Sequence, residues 1–145
     1  SNQAAATCLL QYGATACTDV TGFGLVGHLI EMIQASSNVA VELKLEAIPI
    51  LEGAQETIQT GIISSLQPEN LRASRYIANL DQVSDRPTYP LLFDPQTSGG
   101  LLAAIPANRA NACLNSLQTL GYVSSRAIGY VLPKVAGEKA IALVN

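Results

Sequence analysis

Hydrophobic positions recur along the chain with two periods. Between residues 22 and 36, Phe23, Val26, Ile30 and Ile33 share one helical face with Leu25, Leu29 and Met32 beside them. Gly24, His28, Glu31 and Gln34 form the polar side of that predicted helix. The period then changes: Val39, Val41, Leu43 and Leu45 alternate with Ala40, Glu42 and Lys44, the mark of a strand with one buried face. Upstream, residues 4–12 read as a short helix with Cys8, Leu9 and Tyr12 inward, followed by a turn and strand over 13–21. Downstream, residues 51–60 read as a short helix closed by Gly61. Pro68 then opens a helix whose apolar face, Ala73, Tyr76, Ile77 and Leu80, carries it to residue 80. Residues 81–90 read as loop and Leu101–Ile105 as an apolar strand. Pro106 and Gly121 bracket a helix with Ala110, Cys113, Leu114 and Leu117 inward. Two closing strands, 127–132 and 139–144, flank a turn containing Pro133 and Gly137. Interleaved strands and helices, with strand-helix-strand at 101–131, predict a single α+β domain over residues 1–145, with helices on one or both faces of a mixed sheet.

Composition narrows the classes of function. The chain has 145 residues, 48% of them hydrophobic, which excludes general disorder and suffices for a core without disulfides. Only 13% are charged, against about 25% for ordinary soluble chains. Two explanations stand: part of the surface is covered by another domain or subunit, or the domain is small, Ala-rich and sparsely charged. With a net charge of −3 and its eight Lys and Arg scattered, nothing marks a nucleic-acid surface. No apolar run approaches the ~20 residues of a membrane span, and no signal-peptide pattern opens the chain. Ser1-Asn2 reads as a remnant of tag cleavage. Cys8, Cys17 and Cys113 match no metal-ligand spacing and are expected as small buried hydrophobes in a reducing cytoplasm.

Two loops hold residues suited to chemistry. In Thr18-Asp19-Val20-Thr21-Gly22-Phe23-Gly24 an acid, a hydroxyl and two glycines fall where a strand hands over to a helix. Such a junction offers unpaired N–H groups to anions, and a carboxylate there can hold Mg²⁺. Asp19 or Thr21 capping the helix accounts for the same residues. No Lys follows the glycines, so the loop is not a P-loop. In Asp94-Pro95-Gln96-Thr97-Ser98-Gly99-Gly100 the residue types suit a tight turn. They also suit an anion-accepting or interface loop built from Thr97, Ser98 and the bare backbone of Gly99 and Gly100. His28 is the only histidine. One turn from Glu31, it is expected as a solvated or interface pair rather than an acid-base couple. Cys17 has no Lys or Arg near it in sequence to stabilise a thiolate, and is read as structural.

The segment Ala16-Cys17-Thr18-Asp19-Val20-Thr21-Gly22-Phe23-Gly24-Leu25-Val26-Gly27-His28-Leu29 resembles the signature that opens the C-terminal domain of the selenophosphate synthetase (selenide, water dikinase) family. Tyr89-Pro90-Leu91-Leu92-Phe93-Asp94-Pro95-Gln96-Thr97-Ser98-Gly99-Gly100-Leu101-Leu102 resembles its second signature. Gly121-Tyr122 and Ile128-Gly129-Tyr130-Val131 fit its closing segment, so the likeness spans residues 4–132 in order. The resemblance implies a three-layer α/β/α C-terminal domain of the aminoimidazole ribonucleotide synthetase type, a mixed sheet with partly ferredoxin-like topology. It implies an enzyme that makes selenophosphate, AMP and phosphate from ATP, selenide and water, with Mg²⁺. By the same resemblance Asp19 is a metal ligand, the one site position that carries over. From the make-up of the two loops, Thr21, Gly22, Gly24, Asp94, Thr97, Ser98, Gly99 and Gly100 are expected near phosphate or an interface. The catalytic nucleophile and most ATP contacts are expected in an N-terminal domain on which this chain docks, in a protein expected to form a homodimer largely through that domain. Alone, it is expected to be inactive. A non-catalytic, dimer-stabilising module and a domain of a related ATP-dependent enzyme are the alternatives.

Overall fold

A computed structural model describes all 145 residues, Ser1–Asn145. The helices are α1 (Gln3–Gln11), α2 (Gly24–Gln34), α3 (Ala54–Gln59), α4 (Gln67–Asn70), α5 (Leu80–Val83) and α6 (Ala107–Thr119). The strands are β1 (Ala16–Asp19), β2 (Val39–Lys44), β3 (Leu101–Ala104), β4 (Gly129–Pro133) and β5 (Ile141–Val144). Three 3₁₀ turns, Leu45–Ala47, Leu71–Tyr76 and Tyr89–Phe93, complete the regular structure. The class is α+β with a mixed sheet, as expected. The strands are divided, however: β1 and β3 form an antiparallel pair, while β2 lies between antiparallel β4 and parallel β5. The strand-helix-strand unit at 101–131 therefore joins two sheets instead of adding to one. No helix is long and apolar enough to cross a membrane.

Two apolar clusters hold the chain together. The larger gathers Val26, Leu29 and Ile30 of α2, Val41 and Leu43 of β2, Ile141 and Leu143 of β5, and Leu92 and Phe93 of the third 3₁₀ turn. The smaller packs Ala5, Cys8 and Leu9 of α1 on Cys113 and Leu117 of α6. β3 serves both, because side chains alternate along a strand: Leu101 and Ala103 meet the smaller cluster and Leu102 the larger. The two candidate loops begin at this two-stranded seam, one leaving β1 and the other entering β3.

Several expectations fail for identifiable reasons. The helix predicted from Pro68 to residue 80 ends at Asn70 and gives way to a 3₁₀ turn. Ile77 instead takes an extended backbone and bridges Ile141 in parallel. The Asn79 side chain exchanges hydrogen bonds with the Leu143 backbone, donating to its carbonyl at 2.6 Å and accepting from its N–H at 3.0 Å. Pairing with β5 overrides the local helical pattern. The presumed loop 81–90 includes the end of α5, with Val83 buried, and the start of a 3₁₀ turn, with Tyr89 buried. On α2 the expected faces are partly exchanged: Phe23 is 56% exposed, while Gly24 and His28 are buried. Cys8 and Cys113 are buried as expected, but Cys17 is exposed because it alternates outward on β1.

Candidate functional site

The two signature loops form one structure. At the end of β1, the Val20 N–H donates to the Gly100 carbonyl at 2.9 Å, and the Gln96 N–H donates to the Thr21 carbonyl at 3.0 Å. Asp19 pairs in register with Leu101, so the first loop leaves its strand beside the point where the second enters its own. Backbone approaches this close require missing side chains. A Cβ on Gly99 would stand 1.9 Å from the Val20 carbonyl oxygen. One on Gly24, whose φ is +70°, would stand 2.8 Å from the Phe93 backbone. Gly22 and Gly100 differ: nothing lies within 4 Å of a Cβ at either position, so backbone there is open to approach. Of the four candidate glycines, then, Gly24 and Gly99 weld the loops and Gly22 and Gly100 face free space.

Asn70, which no sequence pattern singled out, fastens the weld. Its side-chain amide donates to the Gly22 carbonyl at 2.8 Å and to the Phe93 carbonyl at 3.0 Å, one from each signature. Its neighbour Gln67 is buried and donates to the Pro90 carbonyl at 2.9 Å. The second loop is also tied from α1, where the Asn2 amide donates to the Gly99 carbonyl at 3.0 Å. Ser98 adopts a left-handed φ of 57°, and Thr97 and Ser98 are exposed at the loop tip.

Neither Asp19 nor Thr21 caps α2. The helix starts two residues later than expected, at Gly24, with Phe23 at the N-cap position and no side-chain cap. Thr21 Oγ1 lies 3.1 Å from His28 Nε2, and His28 Nδ1 lies 3.0 Å from Glu31 Oε2. The expected His28–Glu31 pair therefore exists, but with the imidazole buried and a third member attached. Asp19 is exposed at the end of β1, and the Thr18 hydroxyl bonds its backbone carbonyl, not its carboxylate. Asp94 is half-buried, and desolvation raises its carboxyl above the usual range. The Cys17 thiol, on a residue exposed at the surface, is raised as well, by partial desolvation first and then by the Asp19 charge, which makes it a poor nucleophile.

Nowhere do three or more His, Cys, Asp or Glu side chains converge as a metal cage. The donor set nevertheless fits Mg²⁺ in part. That ion is commonly held by one or two carboxylates, with water and phosphate oxygens completing its shell. A single exposed carboxylate beside open glycine backbone meets that description for one ligand and leaves the remaining ligands to other groups.

Residues 2–139 match the family described as AIR synthase related protein, C-terminal domain. The chain is 36% identical over 148 residues to the selenide, water dikinase of Clostridioides difficile (strain 630), covering 99% of this chain and 40% of that protein. It is 39% identical over 134 residues to that of Trichlorobacter lovleyi, covering 92% of this chain and 38% of the relative. With the enzyme of Caldanaerobacter subterraneus subsp. tengcongensis the identity is 40% over 111 residues, or 75% of this chain and 31% of the relative. The chain thus spans no more than about two fifths of the length of these curated relatives. A match over residues 2–139, nearly the whole chain, shows that it belongs to the AIR synthase related protein C-terminal domain family.

Proposed function

We propose that this chain is the C-terminal domain of a selenophosphate synthetase, an enzyme that makes selenophosphate, AMP and phosphate from ATP, selenide and water. The observation that carries the reading is the weld between residues 19–24 and 94–100. Segments at least 70 residues apart in sequence present Asp19, Thr21, Gly22, Thr97, Ser98 and Gly100 around one junction. Asp19 supplies one carboxylate toward Mg²⁺, and the open backbone at Gly22 and Gly100 accommodates phosphate or the neighbouring domain. Bound Mg²⁺ would neutralise phosphate charge, which dominates the energetics of phosphoryl transfer. Gly24 and Gly99 act indirectly, by letting the loops touch, and Asp94 sits behind the surface.

The catalytic nucleophile and most ATP contacts then belong to an N-terminal domain, consistent with relatives more than twice as long. Docking to that domain, within a homodimer, gives a role to exposed apolar residues such as Leu51, Leu10, Val123 and Ile62. A cytoplasmic setting accords with three unpaired cysteines.

The test is selenide-dependent AMP formation by the longer protein that contains this chain. Asp19→Asn should lower the rate by about 100-fold, with partial recovery at high Mg²⁺. Activity indifferent to Asp19 would make the chain a scaffold, and AMP formation independent of selenide would overturn the family reaction.

A further inference from the structure

His28 is 6% exposed, yet both its ring nitrogens are engaged: Nδ1 with Glu31 at 3.0 Å and Nε2 with Thr21 at 3.1 Å. The Phe23 ring covers the imidazole, with centroids 5.3 Å apart, and Phe23 can fold back because residue 27 is glycine. A Cβ there would stand 2.6 Å from the Phe23 Cβ. The Glu31 side chain is 55% exposed, and its carboxylate can only accept. Nδ1 therefore carries the hydrogen. In the neutral imidazole Nε2 is then an acceptor and the Thr21 hydroxyl donates to it, whereas an imidazolium would donate from both nitrogens and leave the Thr21 proton free. A hydroxyl has one proton, so only the oxygen lone pairs of Thr21 are left for the loop surface.

We infer that His28, oriented by Glu31, is a positioning residue that turns the Thr21 hydroxyl into an acceptor at the loop surface. Its partner there must be a hydrogen-bond donor or a cation, such as water or hydrated Mg²⁺, and not the bare oxygen of a phosphate. Two residues after Asp19 in the chain, Thr21 adds an oxygen of fixed polarity to the first loop. Phosphate oxygens are left to backbone N–H groups. Only the activity arm of the following test rests on the proposed function.

The first arm is nitrogen NMR of the His28 ring, its signal identified by loss in His28→Gln. Nδ1 should be protonated and Nε2 bare, and Glu31→Gln, a change at an exposed side chain, should admit both tautomers. A protonated Nε2 in the wild type, whether Nδ1 is bare or protonated too, would overturn the inference. The second arm is AMP formation by the longer protein. An Asn side chain reaches only as far as Nδ1, whereas Gln can place its amide oxygen near Nε2. His28→Asn should therefore lower kcat by roughly 10- to 100-fold at unchanged KM for ATP, and His28→Gln should regain most of the loss. Glu31→Gln should show a smaller loss in kcat. If Glu31→Gln and His28→Asn both match wild type, or Gln is no better than Asn, His28 is a packing residue and the inference falls. If the wild type makes no selenide-dependent AMP, the proposed function fails, while the nitrogen spectrum still decides the relay.

Discussion

The adjacent glycines 99 and 100 carry opposite constraints. At Gly99 an added methyl would meet the Val20 carbonyl oxygen at 1.9 Å, a backbone atom that can retreat only if the two loops part. At Gly100 the same methyl meets nothing within 4 Å. Gly99→Ala should accordingly cost about 2 kcal/mol or more, and Gly100→Ala no more than about 0.5 kcal/mol, as read from urea midpoints. Equal effects would show that the loops are not welded. Asp94 is also set by its surroundings. Desolvation raises its folded-state pKa, so between the ordinary carboxylate value and the raised one the native state binds more proton than the unfolded state. Stability from this group is therefore fully present at acid pH and declines as pH rises through that window. Asp94→Asn should raise the melting temperature at neutral pH and change it little at acid pH. A mutant that melts lower at neutral pH would mean that the ionised carboxylate is stabilised in the fold.

At the scale of elements, register decides what is tolerated. Gly129 of β4 lies across from Leu43 of β2, and a Cβ there would stand 2.1 Å from the Glu42 carbonyl oxygen. Gly129→Ala should strip β4 from the sheet edge, while Val131→Ala on the same strand, 54% exposed, should be nearly neutral. Amide exchange that stays slow along β2 and β4 in Gly129→Ala would contradict this. β2 was legible because its alternation continues into buried Val41, Leu43 and Leu45, and α6 because Pro106 and Gly121 bracket it. The break after Asn70 was not legible, because its cause, pairing of Ile77 and Asn79 with β5, lies about sixty residues away. The site divides in the same way. Its two segments were readable as motifs, but their weld, the Asn70 clamp and the burial of His28 depend on contacts between segments. Amphipathic spacing put His28 on the polar side, as a solvated or interface pair with Glu31, because spacing cannot show that Thr21 and Glu31 satisfy both nitrogens.

For the whole molecule, folding and function separate. The chain has two apolar clusters of its own, and no buried side-chain polar atom lacks a partner, so it is expected to fold even where its exposed apolar residues await a neighbouring domain. The proposed site is different: Asp19 is one exposed carboxylate, and nowhere do three acidic, Cys or His side chains converge. One carboxylate in water does not hold Mg²⁺ tightly, because the ion gives up its own hydration shell reluctantly. The isolated chain should therefore melt cooperatively, show no resolvable Mg²⁺ binding by calorimetry and form no selenide-dependent AMP. Because the Asp19 side chain anchors nothing in the fold, Asp19→Asn should shift stability by no more than about 0.5 kcal/mol. The same substitution in the longer protein should nearly abolish activity. Matched melting curves with divergent activities would place the role of Asp19 in the assembled site alone. A clear loss of stability in the isolated chain would instead make Asp19 a structural residue and remove the basis for assigning it to the metal.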